Sequence, residues 1–237
     1  MSYRKYFYPP ALGFFLYMLI ILTLVIVFPI LLLGVTKVVF GSLGFSFTDA
    51  VLIILLSLAG SAINIPIAKI RSSEPVMKMD YYTFFGVTYP VPNIFQAESE
   101  TLVSVNVGGA LIPTVLSAYI WTKELVYTPQ ILIAVIVLAI VVNRLAKPVK
   151  GMGIVVPAFV PPLLAAVVAL VLSLGDAKLA FSLAYMSGSL GTLIGADLLN
   201  IRKFGELSAK AVSIGGAGTF DGVFMSGLIA VLLVALL

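Results

Sequence analysis

Two aspartates lie in otherwise apolar stretches of the sequence. Asp197 follows a Gly-Ala pair, and Asp221 follows the glycine-rich stretch 215–220. There are 14 basic and 10 acidic residues, and these two acids are the ones that fall outside the predicted loops and span ends. An ionisable side chain inside a bilayer costs several kcal/mol unless it is paired, so both aspartates indicate a functional site.

The chemistry open to two such carboxylates depends on whether they meet. Facing carboxylates without a cation share a proton, so that one is ionised and the other neutral. Such a pair can activate water for attack on a peptide carbonyl, or it can bind and release H⁺ or a metal ion. No Lys or Arg lies in the interior of the predicted spans to pair with them. An alternative for Asp197 is an acid near a helix end that reaches water.

Seven apolar stretches must position these residues. The chain is 61% hydrophobic and 10% charged, whereas soluble domains carry about 25% charged residues. Its apolar runs of about 20 residues have the length of a transmembrane helix. The sequence therefore predicts an all-α polytopic transmembrane bundle forming a single domain over 1–237, with spans near 11–35, 49–68, 101–121, 129–146, 154–174, 178–200 and 213–237.

The basic residues predict an orientation. If the N-terminus is cytoplasmic, the inside loops hold 11 of the 14 basic residues, as the positive-inside rule requires. The sequence therefore predicts a multi-pass protein of the cell membrane with the N-terminus in the cytoplasm and the C-terminus outside. The last two spans would be antiparallel neighbours, with Asp197 and Asp221 both toward the cytoplasmic side.

The longest predicted loop, 69–100, is cytoplasmic. Within it, aromatic and β-branched residues surround a glycine over 79–92, which predicts either a short β-hairpin or a loop resting on the membrane interface. Gly188, Gly191 and Gly195 predict close helix packing. The stretches 106–113 and 215–222 predict unwound backbone that lines a cavity.

Composition also excludes several classes of site. The chain has no Cys and no His, which removes disulfides, thiol nucleophiles and thiolate or imidazole metal sites. We expect no cofactor and no metal. The net charge of +4 is explained by short basic loops, so membrane lipids are expected partners and nucleic acid is not.

The order and placement of the aspartates resemble the GxGD-type intramembrane aspartyl proteases, the presenilin and signal peptide peptidase class. Gly218 matches the glycine three residues before the second aspartate, and Gly109 to Pro113 is similar to the Pro-Ala-Leu element. Phe220 and Ala196 depart from that pattern, and the Ala-Leu element precedes the aspartates instead of following them. The family has nine spans. The chain also resembles an uncharacterised family of prokaryotic integral membrane proteins, in its 106–113 and 216–222 stretches.

The leading hypothesis is therefore an intramembrane aspartyl protease or a close structural relative, with single-span membrane proteins as candidate substrates. The resemblance implies Asp197 and Asp221 as the catalytic pair. The residues expected to bind substrate are Asn106, Gly108, Gly109, Ala110, Leu111, Pro113, Gly218, Thr219 and Gly222, with the 79–92 hairpin offering a strand edge. The alternatives are a transporter or channel for a proton, cation or small solute that uses the same aspartates, and an assembly protein without catalysis.

Overall fold

Helices make up most of the protein. The computed structural model describes residues 10–84, 87–150, 153–207, 209–216 and 222–237. The helices are α1 (Pro10–Ser42), α2 (Phe47–Ser61), α3 (Ile112–Lys123), α4 (Thr128–Leu145), α5 (Val160–Leu172), α6 (Ala177–Met186) and α7 (Gly222–Leu236). Helix α6 continues through two π-helical turns, Ser187–Gly191 and Leu193–Asp197, into the 3₁₀ segment Leu198–Leu207. A third π-helical turn, Val107–Leu111, precedes α3.

The turn between α1 and α2 is sharp. The segments Leu33–Ser42 and Phe47–Ser61 meet at 107°. Gly44 makes the turn with a φ of +82°, and Ser46 caps α2 through a capping box with Asp49. This reciprocal cap satisfies backbone N–H groups at the helix start, so the break between the two helices is encoded locally.

The main hydrophobic core lies between α4, α5, α6 and α7. Its closest approaches are made by glycines. Gly188 lies against Gly227 of α7, and Gly191 lies against Leu138 of α4. Gly195 likewise lies against Ala139 of α4. The predicted role of Gly188, Gly191 and Gly195 in close helix packing is confirmed.

A long antiparallel hairpin projects from this helical body. Strands β1 (Asn64–Phe84) and β2 (Val87–Asn106) are paired from Asn64↔Asn106 to Phe84↔Val87, with one irregularity between Pro66 and Ala68. At about 3.3 Å per residue the hairpin is about 65 Å long. Strand β5 (Ala211–Ile214) joins it in parallel beside residues 102–105 of β2, and β3 (Lys147–Val149) pairs with β4 (Gly153–Val155).

The prediction of an all-α bundle of about seven spans is wrong. The second and third predicted spans, 49–68 and 101–121, end and begin as β-strands, and the seventh, 213–237, opens on β5. The predicted 79–92 hairpin exists, but it is the outer part of a hairpin that includes most of the predicted 69–100 loop. Hydropathy windows measure apolar content, and they do not separate an apolar strand that joins a helix from the helix itself.

Two helices in the described part of the chain are long and apolar enough to span a membrane. They are Leu125–Leu145 and Ala177–Gly205. The bent pair Leu33–Ser42 and Phe47–Ser61 would make a third if it forms one span. Shorter apolar helices occupy Gly13–Thr23, Val160–Leu172 and Gly222–Leu236.

Candidate functional site

Asp197 ends the second π-helical turn of the α6 extension and is partly buried. Its Oδ2 accepts a hydrogen bond from the backbone N–H of Gly215 at 2.8 Å. Gly215 follows β5 directly and lies six positions before Asp221 in the sequence. One predicted catalytic carboxylate is therefore bound to the glycine-rich segment that carries the other. Asp221, Gly218 and Thr219 lie outside the described residues.

Gly215 connects this segment to the 106–113 stretch. It is buried and has a φ of +79°, and a Cβ atom there would lie 2.6 Å from both Cβ and N of Ala110. Only glycine can adopt this backbone conformation and leave room for Ala110. The structure therefore brings together three features that are far apart in sequence: Asp197, the start of the glycine-rich segment, and the Gly109-Ala110 pair.

A small hydrophobic cluster adjoins this junction. Its members come from the residues that flank each of the three features: Val103, Ala110, Leu193, Phe204, Leu207, Ile214 and Val223. Leu193 lies one turn before Asp197, Ile214 lies next to Gly215, and Val223 lies two positions after Asp221. Strand β5 and helix α7, which precede and follow residues 217–221 in the sequence, therefore both contribute to the cluster that includes Leu193.

Asn106 joins the same region to α2 and β1. Its side chain is fully buried, and its Nδ2 donates to Ser61 O at 2.7 Å and to Asn64 Oδ1 at 3.1 Å. Its Oδ1 accepts from Gly109 N–H at 2.7 Å, and Asn64 Oδ1 also accepts from Ser213 Oγ at 2.6 Å. These bonds fix the π-helical turn 107–111 at the point where β2 ends.

The remaining predicted substrate residues lie at differing depths. Gly108 is buried against the backbone of Ser57, whose Oγ donates to Gly108 O at 2.8 Å. The stretch predicted as unwound backbone is thus a packed π-helical turn over 107–111. Pro113 is buried near the start of α3, whereas Leu111 and Gly222 are exposed.

Comparison with known proteins places the chain in a family. Residues 58–233 match a family model described as "Protein of unknown function (DUF1614)". The chain belongs to this family. The matched region includes the whole hairpin, Asp197, Gly215 and Asp221. No curated protein and no solved structure matches the chain.

Two asparagines near Asp197 were not identified from the sequence. Asn200 is buried, and its Nδ2 donates to Gly195 O at 3.0 Å and to Ala196 O at 2.9 Å. Asn143 of α4 donates to the same Gly195 oxygen at 3.2 Å. A π-helical turn breaks the regular pattern of helical hydrogen bonds, and these amides bind two of the carbonyls just before Asp197. The signal in the sequence was an amide within an apolar span, as at Val141-Val142-Asn143.

An ion pair closes the opposite end of the bundle. Lys178 Nζ at the start of α6 lies 3.2 Å from Glu124 Oε1 at the end of α3, and Glu124 is buried. Lys178 is one of the three basic residues that the predicted topology leaves outside the cytoplasmic loops. The contact joins the end of α3 to the start of α6.

Proposed function

We propose that this protein is an intramembrane aspartyl protease, or a close relative of one, in which Asp197 and Asp221 activate water for peptide-bond hydrolysis. The supporting observation is the hydrogen bond from Gly215 N–H to Asp197 Oδ2. It ties the Asp197 carboxylate to the glycine-rich segment six residues before Asp221. The carboxylate pair would share one proton, with the ionised member acting as the general base.

The substrate backbone would lie along β5. Strand β5 is at the edge of the sheet order β1-β2-β5, and it ends one residue before Gly215. A segment added to this edge would be extended, which exposes its carbonyl groups to attack, as β-augmentation does in other peptide-binding proteins. Its peptide bonds would pass beside the Asp197–Gly215 contact. In this proposal the edge of β5, rather than the 79–92 hairpin, receives the substrate.

An apolar cleft would carry the substrate helix to this edge. It has a volume of about 650 Å³ and lies between α1, α2 and α7, with an almost wholly apolar lining that includes Phe40, Leu58 and Met225. Two of its lining residues lie close in sequence to the candidate site: Leu58 follows Ser57, whose Oγ donates to Gly108 O, and Met225 lies four positions after Asp221. An apolar cleft of this kind suits a single-span membrane segment.

The proposed protease is a multi-pass membrane protein with its N-terminus in the cytoplasm. The distribution of basic residues supports this orientation, and it would place the hairpin on the cytoplasmic side. Because the chain has no cysteine, a single cysteine replacing Lys78 can be labelled with a membrane-impermeant maleimide. Labelling should require opening of the cell, and labelling of intact cells would reverse the orientation.

The catalytic proposal is tested by cleavage of single-span substrates with the protein in lipid nanodiscs, with products identified by mass spectrometry. Asp197→Asn and Asp221→Asn should each abolish cleavage, and the double variant should lose little more, since the two carboxylates act as a unit. Asp176→Asn is the matched control. Asp176 caps α6 by accepting from Leu179 N–H, a role that asparagine fills equally well.

Two results would count against the proposal. Cleavage that survives Asp197→Asn would remove the carboxylate pair from the mechanism. A parent protein that cleaves no substrate in the panel, yet gains thermal stability from Na⁺, Ca²⁺ or Mg²⁺ unless Asp221 is replaced by Asn, would identify an ion-binding transporter or channel instead.

A further inference from the structure

The two long edges of the hairpin differ in their capacity to pair with another strand. On β2, the N–H of Leu102 donates to Lys210 O at 3.0 Å and therefore points away from β1. Such directions alternate along an antiparallel strand, and the register is unbroken from Leu102 outward. The nitrogens of Pro90 and Pro92 thus also point outward. Proline has no N–H to donate, so this edge is blocked.

Among the described residues, none pairs with the β1 edge over a short stretch. Met79 and Tyr81 pair with Pro92 and Pro90, so their own N–H and C=O groups point outward. Toward the base, Ser72 Oγ donates to Gly205 O at 2.9 Å, and the 3₁₀ segment covers the edge there. Pro75 lies four residues before Met79 in the same register, so its nitrogen also points outward and has no N–H to donate. The uncovered edge consequently runs from Met77 toward Phe84.

The side chains on this edge are apolar and exposed. The exposed fractions of Met77, Met79 and Tyr81 are 66%, 50% and 70%. They share one face of the hairpin, because they are two residues apart, and Pro90 and Pro92 lie opposite Tyr81 and Met79 on that face. An exposed apolar strand with unpaired backbone groups is a template for pairing with another strand.

We propose that β1 pairs antiparallel with β1 of a second copy of this chain, with Met79 opposite Met79 at the two-fold axis. Charge selects this register. Centring the axis on Lys78 would set two lysines opposite each other, and centring it on Asp80 would set two aspartates opposite each other. Centring it on Met79 sets Lys78 opposite Asp80 of the second copy, twice. Opposite charges across a strand pair are favourable and like charges are not.

The same register suits the apolar face and the backbone. Met77 lies opposite Tyr81 of the second copy, and the two Met79 side chains meet, so three exposed apolar side chains of each copy are covered. Thioether and aromatic groups make favourable contacts. Met77, Met79 and Tyr81 of each copy each donate and accept one backbone hydrogen bond. The two edges, which pair with no other described residue of their own copy, satisfy each other, as an isologous interface requires.

The first test is a charge exchange on the full-length protein in nanodiscs or detergent, with molecular mass measured by light scattering and affinity by fluorescence energy transfer. Lys78→Glu and Asp80→Lys should each weaken dimerisation at least about tenfold, since each turns two attractive pairs into two repulsive ones. A mixture of the two variants should form heterodimers as tightly as the parent forms homodimers. The double variant should also regain dimerisation.

A cross-link tests the register itself. Opposite residues of a hydrogen-bonded antiparallel pair have Cα atoms about 5.5 Å apart, which is within disulfide range. Met79→Cys should therefore form a disulfide between copies in this cysteine-free chain. Val91→Cys is the control, since Val91 is exposed on the same hairpin but lies on the blocked strand. Met79→Pro should abolish dimerisation and leave the hairpin intact, because the Met79 N–H points outward.

The outcomes separate this interface from other occupants of the edge. A monomeric parent, equal cross-linking at positions 79 and 91, or failure of the two charge variants to recognise each other would overturn the proposal. Cross-linking of Met79→Cys to a different protein, with none between copies, would assign the edge to a strand of another chain. None of these measurements of dimerisation and cross-linking depends on whether the protein cleaves a substrate.

Discussion

The Asp197 carboxylate and the Gly215 backbone are bonded to each other at 2.8 Å, between two segments that are 18 residues apart in sequence. Gly215 is buried against Ala110, so the contact also fixes the position of the 107–111 turn. Replacements at either residue should therefore change the junction as a whole.

Replacement of Asp197 should distinguish its role in structure from its role in chemistry. Asp197→Asn keeps an oxygen that can accept from Gly215 N–H, so its thermal stability should be close to that of the parent. Asp197→Ala leaves a buried N–H without this acceptor and should cost about 1–3 kcal/mol. Melting of both variants in the same detergent measures the difference. Equal stability of the alanine and asparagine variants would show that the bond contributes little.

Gly215 should be intolerant of a side chain for two separable reasons. Gly215→Ala places a Cβ at a positive φ, which costs about 1–2 kcal/mol, and also drives it into Ala110. Gly44 has a similar φ of +82°, but a Cβ there would meet nothing within 4 Å, so Gly44→Ala carries the conformational cost alone. We expect Gly215→Ala to lower the melting temperature more than Gly44→Ala. Equal losses would mean that the junction relaxes around the added methyl group.

Sequence alone predicted the components of the site better than the fold that assembles them. Asp197, the 106–113 stretch and the 215–222 stretch were each identified as unusual because polar or glycine residues interrupt apolar runs. The structure places the described parts of all three in contact. Their assembly depends on strand β5 and on the positive φ of Gly215, and neither property is visible in hydropathy.

The long hairpin shows why hydropathy predicts helices at positions where the structure has strands. Residues 64–68 and 101–106 were assigned to spans because they continue apolar runs, yet Asn64 and Asn106 pair across the base of the hairpin. Strand pairing of this kind joins residues that are far apart in sequence, so a hydropathy window along one segment does not detect it. Proline is typical of a strand end or an edge strand, and Pro90 and Pro92 are not at a strand end. Both lie within β2, because their nitrogens point to an edge where no donor is needed.

The close contact between Gly188, in the π-helical turn after α6, and Gly227 of α7 should be sensitive to one added methyl group. A Cβ at Gly188 would lie 2.9 Å from the Gly227 Cα and from Ser226 O, both backbone atoms that cannot turn away. Gly188→Ala should therefore destabilise the protein by about 1–3 kcal/mol through overpacking. Gly41→Ala, near the end of α1, is the control, because a Cβ there would meet nothing within 4 Å. A Gly188→Ala variant as stable as Gly41→Ala would show that the two helical segments can move apart to accommodate the methyl group.

Asn106 and Asn64 differ in what they donate, and pH should reveal the difference. Asn64 Oδ1 accepts from both Asn106 and Ser213, and a carboxylate can accept both bonds. Asn106 donates to Ser61 O, and an ionised carboxylate cannot. We therefore expect Asn64→Asp to be tolerated at neutral pH and Asn106→Asp to be strongly destabilised there.

The sign of the pH dependence follows from whether the folded protein requires the protonated or the ionised form of the new carboxyl group at position 106. In Asn106→Asp the buried carboxyl must keep its proton to replace the donor, whereas an exposed carboxyl in the unfolded chain ionises above a pH of about 4. The stability of Asn106→Asp relative to the parent should therefore fall progressively as pH rises above about 4, and it should recover on acidification. Thermal melting of parent, Asn64→Asp and Asn106→Asp between about pH 4 and pH 8 measures this. A pH-independent difference between Asn106→Asp and the parent would mean that the Ser61 bond is replaced by water, and that Asn106 does not hold the 107–111 turn through that donor.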